Sequence, residues 1–136
     1  MDQSIVHFIQ WVLICNGIYD ILCGFSILYH TCFPFLSFFA KIHLEMYKIT
    51  IYDDMTHRFF AYWLITYGMF RLFAGVFIDK NISLMASMTY FIEMWVFLNE
   101  NNFMPMYPFK VLFVVLSSMS IGMFLVYFSN ELSYDM

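Results

Sequence analysis

The chain alternates long apolar runs with short polar breaks, and the length of the runs decides what they can be. About 20 helical residues at about 1.5 Å of rise each cover a hydrocarbon core of about 30 Å. Residues 5–28, 59–78 and 108–128 reach that length, and 82–98 is only slightly short of it. These four runs predict an all-α, polytopic membrane protein, a four-helix transmembrane bundle that forms one membrane domain over residues 1–136. Residues 33–40 are apolar but short and begin beside Pro34, which suits an aromatic segment lying at the membrane interface. Residues 41–57 hold Lys41, His43, Glu45, Lys48, Asp53, Asp54 and His57 and are predicted to be the longest wet loop. Asp79, Lys80 and Asn81 make a tight connection, so the second and third spans are expected to form an antiparallel hairpin. Pro105 and Pro108 break the polar stretch 99–107 before the last span, which ends in an acidic tail.

Composition agrees with a lipid environment. The 136 residues are 62% hydrophobic, 23% aromatic and 12% charged. Mean hydropathy is +0.73, and a soluble domain carries about twice that charge, roughly 25%. The formal net charge is −4 with no basic run, so nucleic acid is excluded as a partner for want of an electrostatic footprint. Asp2 and Gln3 stand where a secretory leader has basic residues, and the first span is expected to stay in the mature protein. Cys15, Cys23 and Cys32 lack metal or redox spacing and are expected to be buried free thiols. Lys41, Lys48, Arg58 and Lys110 flank the two longer loops, against Lys80 alone on the other side. The positive-inside rule then places both termini outside or in a lumen. Asn81, Ile82 and Ser83 match a glycosylation sequon, but in a turn that barely clears the membrane.

Small residues mark the expected packing faces. Gln10, Gly17 and Gly24 recur every seven residues in the first span, and Ala61, Gly68 and Gly75 do so in the second. Each series lines one side of its helix for close approach. The fourth span offers Ser118 and Gly122.

Three charges, Asp20, Arg71 and Glu93, lie inside the spans, where each costs at least about 2.5 to 3.5 kcal/mol and calls for a partner or a task. Counted from the short turn, Arg71 and Glu93 lie about 10 and 16 Å deep, close enough to pair. Asp20 lies about 22 Å deep, near Arg58 and Glu100, and a second layer of charge is expected there. Asn16 joins Asp20 at helical spacing. The expectation is one internal polar seam built from Asn16, Asp20, Arg58, Arg71, Glu93 and Glu100. Three readings follow: ion pairs that specify the bundle, a cavity for a small amphipathic molecule, or a proton path. On the second, Tyr62, Trp63, Tyr90 and Trp95 would line the cavity and pack the ligand's apolar body. The four histidines are scattered, and no nucleophile, phosphate-loop, dinucleotide or metal-binding signature is present. No catalytic residue, metal ligand or cofactor is therefore assigned.

From Arg58 to Glu100 the pattern is more specific than hydropathy. Arg58, Phe60 and Trp63 open the second span, Arg71 follows, Lys80 sits in the short turn, and Phe97 precedes Glu100. That order resembles the small four-span ergosterol-biosynthesis scaffold family of the endoplasmic reticulum. The resemblance implies a non-enzymatic membrane protein of that compartment that holds sterol C-4 demethylation enzymes together. The layout is also similar, more loosely, to the emopamil-binding and sigma-two-receptor superfamily, which implies a sterol-binding or isomerase-like role through Asp20, Glu93, Glu100 and Trp95. A third class is a structural subunit of a virion membrane or a large membrane complex. The expected role is a scaffold or assembly subunit whose partners are the lipid bilayer and other integral membrane proteins, docked through the loop 41–57. A sterol or lipid is the ligand on the alternative reading.

Overall fold

The computed structural model describes residues 3–46 and 54–134, with side chains up to residue 131. Among them there are five α-helices and no strand: α1 (Gln3–Tyr29), α2 (Ser37–Leu44), α3 (Asp54–Val76), α4 (Lys80–Phe103) and α5 (Pro108–Tyr134), with a short 3₁₀ turn at Pro34–Leu36. All but α2 are long and apolar enough to cross a membrane. The all-α four-helix bundle is therefore present, and its four candidate spans fit an integral, multi-pass membrane protein. Trp11, Phe35 and Trp95 lie on the outer surface with many other large apolar residues. Such a surface would aggregate in water and is ordinary against lipid.

The helices run past the apolar blocks at several ends. α4 continues through the polar residues Asn99 to Asn102 and ends at Phe103, and α5 continues through Asn130 and Glu131, because no proline or glycine stops either helix there. Their starts are set locally. Pro108 opens α5, where its missing N–H is no loss, and Asp79 caps α4 by accepting the Ile82 amide at 2.9 Å. The loop predicted over 41–57 is shorter among the described residues, since 41–44 complete α2 and 54–57 form the first turn of α3. Lys48 and Asp53 lie outside the described residues.

Close packing joins α1 to α3 and α4 to α5. The two series of small residues meet each other, with Gly17 against Gly68, Gly24 against Ala61 and Gln10 against Gly75. A Cβ on Gly17 would stand 2.6 Å from the Gly68 carbonyl oxygen, and one on Gly68 would stand 2.7 Å from the Gly17 carbonyl oxygen. The backbones are therefore in contact, which is how helices gain dispersion energy where lipid removes the hydrophobic drive. On the other pair, Ser83, Ala86 and Ser87 of α4 and Ser118 and Gly122 of α5 are buried, and Gly122 sits against the Phe91 ring.

This arrangement corrects three expectations. α3 and α4 follow one another as a hairpin but touch along little of their length, because the small face of α3 is already taken by α1. Only Cys23 of the three cysteines is buried. Cys15 lies about 200° round the helix from Gly17 and faces outward, and Cys32 is exposed beyond the end of α1. The sequon is part of α4, with Asn81 exposed but the Ser83 hydroxyl buried.

Between the two pairs the backbones stand further apart, and side chains fill part of the gap. Ile9 and Leu13 of α1, Ala74 of α3, Tyr90 of α4 and Leu125 and Phe128 of α5 form one core cluster toward the termini. Along α1 and α5 the gap opens sideways as clefts. At the other end α2 folds back on α1, with Ala40 packed near Cys23 and Ile27. The Tyr107 amide donates to the Met46 carbonyl at 3.0 Å, fixing the end of this segment to the start of α5.

Gly17→Ala and Gly68→Ala are each expected to destabilise the protein by about 2 to 3 kcal/mol, since backbone must move. Gly122→Ala should lose under about 1 kcal/mol, because a Phe91 ring can shift. Unfolding curves of the three variants in mild detergent measure the difference.

Candidate functional site

Arg71 is the one guanidinium buried inside the bundle among the described residues, with 2% of its surface exposed. Its Nε donates to Thr89 Oγ1 at 3.1 Å, and one terminal nitrogen donates to Asp20 Oδ2 at 2.7 Å and to Asn16 Oδ1 at 3.4 Å. The other terminal nitrogen donates to the Glu93 carboxylate. The Tyr90 ring lies 3.8 Å from the guanidinium carbon, and the Tyr90 hydroxyl donates to Asn16 Oδ1 at 2.6 Å. The Thr89 hydroxyl in turn donates to the Ala86 carbonyl at 2.7 Å. Each polar side chain in the cluster thus makes at least one hydrogen bond, as a low-dielectric site requires.

The register explains how one side chain reaches two helices. The contacts of Gly17 with Gly68 and Leu72 and of Gly75 with Gln10 and Ile14 put Arg71 level with about residue 16 of α1, and Asp20 stands about 6 Å higher along that helix. Helical side chains lean toward the N-terminus of their helix, and α3 runs opposite to α1, so Arg71 leans toward Asp20. Its planar fork then satisfies carboxylates on α1 and α4 together.

Four of the six seam residues, Asn16, Asp20, Arg71 and Glu93, are thus brought together. Arg58 and Glu100 are not. Arg58 is exposed near the start of α3, Glu100 is half-buried on α4, and neither joins an ion pair among the described residues. The second charge layer does not form because the long Arg71 side chain draws Asp20 into the first. Of the four aromatic candidates only Tyr90 touches the cluster. Tyr62 and Trp95 are 51% and 62% exposed on the outer faces of α3 and α4. Trp63 packs instead among Phe60, Tyr67 and Phe97. Thr89 was missed, although it lies one turn before Glu93 on the same face of α4 and one residue before Tyr90. Tyr67, 5.6 Å from the guanidinium carbon through its ring centre, was missed too.

A cavity of about 650 Å³ opens beside this cluster, between α1, α2, α4 and α5. Asn16, Asp20, Tyr90 and Glu93 line its inner end, and Phe38, Ile42, Phe113 and Ile121 its flanks. Lys41, His43, Glu45 and Lys110 line the mouth on the side of the longer loops. Such a volume lies within the range of small-molecule sites, which combine apolar walls with a few convergent polar groups. The Glu93 side chain keeps 20% of its surface exposed, whereas Asp20 keeps 6%. At the mouth, His43 packs between the Tyr19 and Phe60 rings, and its Nδ1 is buried with no hydrogen-bond partner among the described residues. Burial pushes His43 down to about 4, which leaves it neutral near pH 7. No group of three or more metal-ligating side chains occurs among the described residues.

Comparison with protein-family models, with curated proteins and with solved structures gave no match to this chain.

Arg71→Leu leaves two buried carboxylates without their cation and is expected to destabilise the bundle by about 3 to 5 kcal/mol. Adding Asp20→Asn and Glu93→Gln to that variant should recover most of the loss. Thermal unfolding in detergent checks both outcomes, and unchanged stability of Arg71→Leu would contradict the pairing.

Proposed function

We propose that this chain binds an amphipathic, lipid-sized molecule within the membrane, with the ligand's hydroxyl at the Asn16, Asp20, Tyr90 and Glu93 end of the cavity. The observation that carries the reading is that the cavity opens onto Glu93, a carboxylate fixed by Arg71 yet still partly accessible. A hydroxyl there can donate to a carboxylate oxygen while the apolar body lies against Phe113 and Ile121. Both carboxylates already accept from Arg71, which suits holding a hydroxyl more than donating a proton to the ligand. Binding without catalysis is the role this supports, and a sterol or another lipid alcohol is a ligand of suitable chemistry.

A scaffold role is the second reading. Phe60, Trp63 and Phe97, three of the residues that carry the resemblance to the ergosterol-biosynthesis scaffold family, pack together between α3 and α4. On that reading the endoplasmic reticulum is the compartment and the partners are other membrane proteins.

Mass spectrometry of the protein purified in mild detergent, alone and as Ser117→Phe, tests the two. Ser117 is half-buried and lines the cavity without touching the Arg71 cluster, so the new ring occupies ligand space. The native chain is expected to retain a lipid in stoichiometric amount, and the variant to lose it while remaining folded. Stoichiometric partner proteins with no retained lipid would favour the scaffold.

A further inference from the structure

The cavity has a second polar end that a hydroxyl ligand alone leaves unused. Lys41 enters its mouth from α2 and Lys110 from α5. Lys41 engages no partner among the described residues. The Lys110 ammonium donates to the Glu45 backbone carbonyl at 2.9 Å and lies 5.2 Å from the Tyr107 ring centre. One of its three N–H donors is thereby used and the others remain. Two of the chain's six basic residues thus face one opening. Glu45 is the acidic side chain there, exposed to solvent, so the mouth is net positive while the inner end carries two carboxylates against one guanidinium. The mouth and the inner end are therefore of opposite sign.

We propose that Lys41 and Lys110 form an anion subsite for the far end of the same ligand. This rests on the cavity reading above and adds to it the ligand's second group. The occupant is an elongated amphiphile with a hydroxyl at its inner end and a carboxylate, sulfate or phosphate at its outer end. Spacing along α5 sets the length. From Lys110 to Ser118 and Ile121 is eight to eleven residues, or about 12 to 17 Å of helix. Reversed placement is disfavoured, because it would bring the anion to Asp20 and Glu93, which already exceed Arg71 in charge. The neutral His43 ring, with its unpartnered nitrogen, sits beside the lysines and adds no competing charge.

Competition binding in detergent micelles with ω-hydroxylauric acid and its methyl ester tests the subsite, using a radiolabelled form of the acid as tracer. The acid carries both groups, and the ester lacks only the anion. The native protein is expected to bind the acid about five- to tenfold more tightly than the ester, the range of one or two partly exposed charge contacts. Lys41→Gln with Lys110→Gln should bring the acid down to the ester's affinity and leave the ester unchanged, and Lys41→Gln alone should lose part of the preference. Equal binding of acid and ester by the native protein, or equal weakening of both in the double variant, overturns the anion subsite and leaves the cavity reading standing. Absence of saturable binding by either probe overturns both.

Discussion

One buried cation has to serve two carboxylates on different helices, and the rest of the bundle is arranged around that requirement. Arg71 belongs to the α1–α3 pair by packing and to the α4–α5 pair by its bond to Glu93. Within each pair, small residues bring the backbones into contact. Between the pairs such contact is scarce, and lipid supplies no hydrophobic drive to close the gap. A charge-assisted fork with Thr89, Asn16 and the Tyr90 ring around it is the strongest directional link across that gap. Removing Arg71, Thr89, Glu93 or Asn16 would leave another polar group unpaired in a low dielectric.

The cavity is a consequence of the same arrangement. Arg71 and Tyr90 hold the pairs at the width of a large side chain, and α1 and α5 never close on one another. α2 folds back against α1 and is fixed to α5 through Met46 with Tyr107 and Glu45 with Lys110. That narrows one end of the gap to the cavity mouth without filling it. The inner wall then carries the carboxylates that Arg71 orients, and the mouth carries the lysines. A hydroxyl and an anion at opposite ends of one ligand match those two walls in chemistry and in sign.

The spans were legible in the chain because apolar length decides them, and so were the faces of α1 and α3, because a seven-residue series of small residues has one use in a helix pair. The pairing of Arg71 with Glu93 followed from counting depth along two neighbouring helices. The same count misplaced Asp20, because it set the ends of the apolar runs level, whereas the helices are offset by about four residues, and because it ignored the lean and reach of an arginine side chain. Trp95 and Tyr62 show the opposite error. An aromatic residue near a polar one in sequence can face lipid, and only the rotation of the helix decides which. The cavity had no local signal, since Lys41, Glu93 and Phe113 meet through the fold-back of α2 and the separation of α1 from α5. Helix ends at Phe103 and Tyr134 were missed because a polar helix can continue beyond the lipid.

A double-mutant cycle on Asp20→Asn and Glu93→Gln, read from unfolding free energies in mild detergent, tests most directly whether one arginine holds both pairs. Each variant leaves Arg71 its other carboxylate, whereas the double variant leaves it none. The account predicts that the double variant loses more than the sum of the single losses, by about 0.5 to 3 kcal/mol. Additivity to within about 0.5 kcal/mol would mean that the two carboxylates act independently, and would contradict a shared cation as the link between the helix pairs.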